Sequence, residues 1–90
     1  MKGAGEMVGE TAKMKGSFCF GKLYCRYLLH EDEELIYLVG EEKEGMTELF
    51  SETLAFSKEE RVFAEGLYSL LLKSRTCPRM MKEVAEDILP

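Results

Sequence analysis

Apolar and polar residues alternate through the first patterned stretch of the chain. Ala12, Met14, Phe18 and Phe20 share one parity, and Lys13, Lys15, Ser17 and Cys19 the other. A period of two predicts a half-buried strand. After Gly21 the parity flips, grouping Leu23, Cys25, Tyr27 and Leu29 against Tyr24, Arg26, Leu28 and His30. A Gly21-Lys22 turn of type II′ or a bulge at Gly21 accounts for the flip, and the turn is preferred. The third run, Leu35 to Val39, is apolar on both parities and predicts the most buried strand of an antiparallel meander.

The stretch 46–56 is ambiguous. Met46, Leu49, Phe50 and Leu54 have helical spacing, whereas Phe50, Leu54 and Phe56 also suit a strand; a short helix is the expectation. Ser57 and Glu60 then form a capping-box pattern that opens a helix. Phe63, Leu67, Leu70 and Leu71 make its apolar stripe, widened by Val62, Tyr68 and Leu72. Lys73 and Arg75 sit where the negative end of the helix dipole favours cations, and the helix is expected to stop near Ser74. Cys77-Pro78 starts another helix, with Met80, Met81, Val84, Ala85, Ile88 and Leu89 on its apolar face. The expected architecture is α+β: a small antiparallel β-meander of about three strands packed against two or three C-terminal helices. Residues 1–9, with Gly3, Gly5 and Gly9, are expected to form a flexible N-terminal tail ahead of a single domain spanning 10–90.

A chain of 90 residues supports one core and buries about 60–65% of its extended surface. A formal net charge of −5 argues against general affinity for nucleic acid or anionic lipid. No apolar run approaches the ~20 residues of a membrane span, and the N-terminus lacks the pattern of a secretory signal. A cytoplasmic location is therefore expected. Asn, Gln and Trp are absent, and 15 Glu stand against two Asp. That balance of residues is the one thermophile proteins tend to show.

The candidate chemistry lies in two acidic clusters. Glu31, Asp32, Glu33 and Glu34 join the second and third runs, and Glu41, Glu42 and Glu44 follow Gly40. Calcium takes six to eight oxygens at flexible distances, which clustered carboxylates supply in part. The EF-hand spacing is absent, so any site would be irregular and weak. The clusters stand ~20 Å apart along an extended strand and cannot share one ion. The plain alternative is a solvated turn whose charges discourage edge pairing, partly neutralised by Lys13 and Lys15, with Lys22 near the Glu41 end.

The short α+β plan, the Glu-rich turns and the amide-free composition resemble small uncharacterised proteins of methanogenic archaea. Some of these are described as binding calcium through acidic loops outside the EF-hand pattern. The resemblance implies Ca2+ as the ligand, held weakly by Glu31, Asp32, Glu33 and Glu34 or by Glu41, Glu42 and Glu44.

A second reading is a protein or nucleic-acid interaction module. Between Gly66 and Lys82 lie Lys73, Arg75, Arg79 and Lys82 and no acid, making the helix–helix junction a basic spot on an acidic chain. The N–H groups ahead of Arg79 could hold an anion. Four cations with no recognisable reading helix make nucleic acid the weaker partner. Enzyme activity is not expected: His30 is the single histidine and no motif places a nucleophile beside it. Cys19 and Cys25 cannot pair in either reading of the Gly21 turn, and Cys77 at a helix start near Arg79 is the candidate reactive thiol.

Overall fold

The computed structural model describes residues 12–88. Strands β1 (Ala12–Phe20), β2 (Leu23–Glu31), β3 (Leu35–Glu44) and β4 (Thr47–Ser57) form one antiparallel sheet in the order β1-β2-β3-β4. A 3-10 turn at Lys58–Glu60 runs into helix α1 (Arg61–Lys73), and a second at Pro78–Met80 runs into α2 (Met81–Ile88). The α+β meander is therefore present with four strands rather than about three. The two helices follow the sheet in sequence, as expected. The expected 1–9 tail and Leu89 lie outside the described residues.

The fourth strand corrects the expectation of a helix over 46–56. Gly45 has φ of 60° and no other atom within 4 Å of where its Cβ would stand, so Gly45-Met46 makes a two-residue hairpin turn like Gly21-Lys22. Both turns place a positive φ at their first residue, which type II′ requires and glycine supplies without strain. Once the chain is turned back, β4 gains the full ladder along β3, with Ile36 opposite Phe56 and Leu38 opposite Leu54. A period-two set of apolar residues then outweighs the competing helical spacing.

Register sorts the side chains cleanly. Phe18, Cys25, Tyr27, Leu29, Ile36, Leu38 and Phe56 are buried on the face that the helices cover. From α1 come Ala64, Leu67, Tyr68 and Leu71, and from α2 Met81 and Ala85. The helix stripes are rotated slightly from those expected: Val62, Leu70, Met80 and Ile88 are exposed, while Ala64 joins the expected Leu67, Tyr68 and Leu71 inside. Phe63 still packs edge-on against Phe56, with ring centroids 5.7 Å apart. The opposite face of the sheet carries Tyr24, Arg26, Leu28 and His30 from β2, and His30 stacks on Tyr37 at 5.1 Å.

Gly40 sets how closely the second helix unit can approach. A Cβ there would stand 2.9 Å from the Pro78 Cβ, 3.2 Å from Tyr27 Cε1 and 3.3 Å from Met81 Sδ. Its missing side chain lets the junction between the helices lie directly on β2 and β3.

Candidate functional site

The first acidic cluster is organised around its own turn. Asp32 Oδ1 accepts the N–H groups of Glu34 and Leu35, each at 2.8 Å, and Oδ2 accepts the Tyr37 hydroxyl at 2.9 Å. These bonds, the two from the backbone foremost, pull the Asp32 carboxyl down to about 2. Glu31 turns toward the helix layer and accepts from Lys58 Nζ at 2.9 Å and Arg61 Nη1 at 2.6 Å. Lys58 Nζ also donates to the Asp32 carbonyl at 2.5 Å. The cations that meet the acids here thus include Lys58 and Arg61, from the start of the helical segment. Lys15, expected beside this turn, instead pairs in register with Leu28. The side chain of Lys13 lies outside those described. No cation among the described residues pairs with Glu33 or Glu34.

The second cluster is divided between the two faces of β3. Glu41 faces outward and takes Arg26 Nη2 at 2.5 Å and Nε at 3.1 Å. Glu42 faces inward and has no exposed surface. Its carboxylate accepts Arg79 Nε at 2.9 Å and Nη2 at 2.5 Å through Oε1, and the Arg79 backbone N–H at 2.8 Å through Oε2. Burial pushes the Glu42 carboxyl up, but the Arg79 bonds outweigh that and leave it below its ordinary value. Glu44 lies at the far end of β3, beside the Gly45 turn.

A residue expected in the cation site and one expected in the partner site are therefore each other's partners. An anion was expected on the N–H groups ahead of Arg79; instead the N–H of Arg79 itself meets one, the Glu42 carboxylate. Parity signals this pairing: Glu42 continues the inward series Ile36, Leu38, Gly40. Among the described residues, no group of three or more His, Cys, Asp or Glu is arranged to hold a metal ion.

The junction itself is held rigidly. Helix α1 ends in a Schellman arrangement, with Thr76 N–H donating to the Leu71 carbonyl at 2.9 Å and Arg75 N–H to Leu72 at 3.2 Å. Tyr27 reaches up from the sheet and donates its hydroxyl to the Thr76 carbonyl at 2.5 Å. Arg75 occupies the left-handed position with φ of 53°, where glycine is the favoured residue. Lys73, Arg75 and Lys82 are exposed and form no ion pair among the described residues, whereas the guanidinium of Arg79 is committed to Glu42.

Beneath the junction, Cys77 packs against the buried core to which Cys25 belongs. Burial first, then the neighbouring Cys77 and Glu42, push the Cys25 thiol up to about 12. Cys19 stands exposed on the opposite face of the sheet, as the two-residue turn at Gly21-Lys22 requires. Comparison of the chain with family models, curated proteins and solved structures found no match. No helix among the described residues is long and apolar enough to cross a membrane.

Proposed function

We propose that this domain is a non-enzymatic interaction module that docks an acidic segment of another protein on the α1–α2 junction, through Lys73, Arg75 and Lys82. The observation that carries the reading is Arg75. An exposed arginine, unpaired among the described residues, occupies a left-handed backbone position that glycine would fill at about 1 kcal/mol less cost. Backbone strain of that kind is retained where the side chain has work to do. The Tyr27 and Glu42 bonds on either side of the junction pre-organise the cations, which lowers the ordering cost of binding.

Calcium is the less favoured ligand for a specific reason. Glu31, Glu41 and Glu42 are already paired with cations of the protein, and Asp32 is spent on its turn. That leaves Glu33 and Glu34 at one end of β3 and Glu44 at the other, against the six to eight oxygens calcium takes. An acidic protein segment is favoured over nucleic acid because the overall charge of −5 repels a long polyanion.

Amide shifts measured while titrating a short peptide of alternating Glu and Ala test the proposal. Shifts confined to 73–82, weakened at least fivefold by Arg75→Gly or by raised salt, support it. Tighter binding of single-stranded oligothymidine than of the peptide would replace it with a nucleic-acid reading. Shifts at 31–35 on adding calcium chloride, with the junction silent to peptide, would return the domain to cation binding.

A further inference from the structure

Helix α1 buries Ala64, Leu67, Tyr68 and Leu71, and its other side is not simply polar. Val62 is 84% exposed and Leu70 40%, with exposed Gly66 between them, and exposed Glu59 and Lys73 stand beyond the two apolar residues. At about 3.6 residues per turn, Val62, Gly66, Leu70 and Lys73 fall in one stripe along the helix. Glu59, in the 3-10 turn that leads into α1, prolongs that stripe. A Cβ on Gly66 would meet no atom within 4 Å, so no described neighbour requires a glycine in mid-helix, where glycine weakens the helix. Close approach of another backbone is the remaining physical reason for one.

The stripe reads the same from either end. Counting outward from Gly66, an apolar residue lies four positions away on each side and a charged residue seven away, acidic at Glu59 and basic at Lys73. An antiparallel second copy, turned about a two-fold axis at Gly66, sets Val62 of each chain against Leu70 of the other. The same rotation sets Glu59 of each against Lys73 of the other. Such contacts are isologous, each made twice. Glycine meets glycine on the axis, where the absent side chains let the two backbones close in and the ridge from Val62 to Leu70 seat beside its counterpart. Neither Glu59 nor Lys73 has an ion-pair partner among the described residues, so both are free to pair across the axis.

We propose that this face of α1 is a self-association surface that pairs two copies of the chain antiparallel across Gly66. The occupant is a second copy because the order of charges along the stripe is complementary to itself under that two-fold rotation. The seam is about 20 Å long, the length of a 13-residue helix, which places it at the small end of protein contacts. The dimer is accordingly weak and concentration-dependent. Arg75 follows the end of α1 and Lys82 is on α2, both off the stripe, so the pairing does not rest on the docking of an acidic peptide at the junction. Lys73 is the one residue common to the two.

Sedimentation equilibrium of the full chain, at loading concentrations from about 20 µM to about 1 mM, tests the proposal. The expected result is a mass that climbs from monomer toward dimer with concentration, with amide shifts confined to 59–73 on the same dilution series. Gly66→Lys, at a position where a Cβ has open space in its own chain, sets two like charges on the axis and weakens the dimer by about tenfold or more, while thermal melting shows the fold kept. Glu59→Lys places like charges at both ends of the seam and weakens it about fivefold. Adding Lys73→Glu to that variant restores opposite charges and the affinity. Arg75→Gly leaves the dimer unchanged. A monomer mass throughout the concentration range overturns the proposal. So does a dimer indifferent to Gly66→Lys, or one that stays weak when Glu59→Lys and Lys73→Glu are combined.

Discussion

The turn at 31–34 and the carboxylate of Glu42 present the same chemical group to opposite environments. At the turn, acids stay in or near water and are held from the side: Asp32 by its own backbone, Glu31 by Lys58 and Arg61. Glu42 lies under the helix layer, and only Arg79 offsets its loss of hydration. A wet carboxylate can lose a partner cheaply, because water replaces it. A buried one cannot, and its bonds to Arg79 tie β3 to the second helix unit.

The sharpest way to break this comparison is Arg79→Met. It strands the buried Glu42 carboxylate, a loss of about 3–5 kcal/mol, measured by urea unfolding. Adding Glu42→Leu to that variant recovers most of the loss, since an apolar pair of similar volume suits the site. An equal loss in the single and double variants would show that Arg79 matters by packing alone.

Acid unfolding sharpens the contrast. Asp32 and Glu42 both have folded values below their ordinary ones, so the unfolded chain binds more protons in acid. Their contribution is complete above the unfolded carboxylate value of about 4 and is lost as pH falls through the folded values, which for Asp32 lie at about 2. Urea midpoints measured from pH 6 down to about 2 should therefore fall steadily, and less steeply in Asp32→Asn and Glu42→Gln.

Smaller effects follow at the margins. Glu31→Ala removes the anchor for Lys58 and Arg61 and should cost about 1 kcal/mol. Arg75→Gly relieves the left-handed residue and should raise stability by about 1 kcal/mol even as it removes the charge proposed for docking. Glu33→Ala and Glu34→Ala should each stay within about 0.5 kcal/mol of the parent. A large loss at either would mean that the exposed turn is not merely solvated.

Much of this organisation is legible in the order of residues. The parity of β1 and β2, the flip at Gly21, the Ser57–Glu60 box and the end of α1 at Ser74 all follow from local pattern. What misled was competition within one window: helical and extended spacings coexist over 46–56, and the deciding signal was the Gly45-Met46 turn just before it. Site residues were harder, because pairing depends on faces brought together across long separations. Glu42 and Arg79 sit 37 positions apart and look like members of different clusters until β3 is placed beneath the junction.

Each strand of the sheet lies beside the one made just before it. The three hairpins therefore close short loops, at little entropic expense, before either helix is required. The Glu42–Arg79 clamp, by contrast, closes across 37 positions and needs the sheet already beneath it. The junction that carries the exposed cations therefore takes its shape from a platform made earlier in the chain.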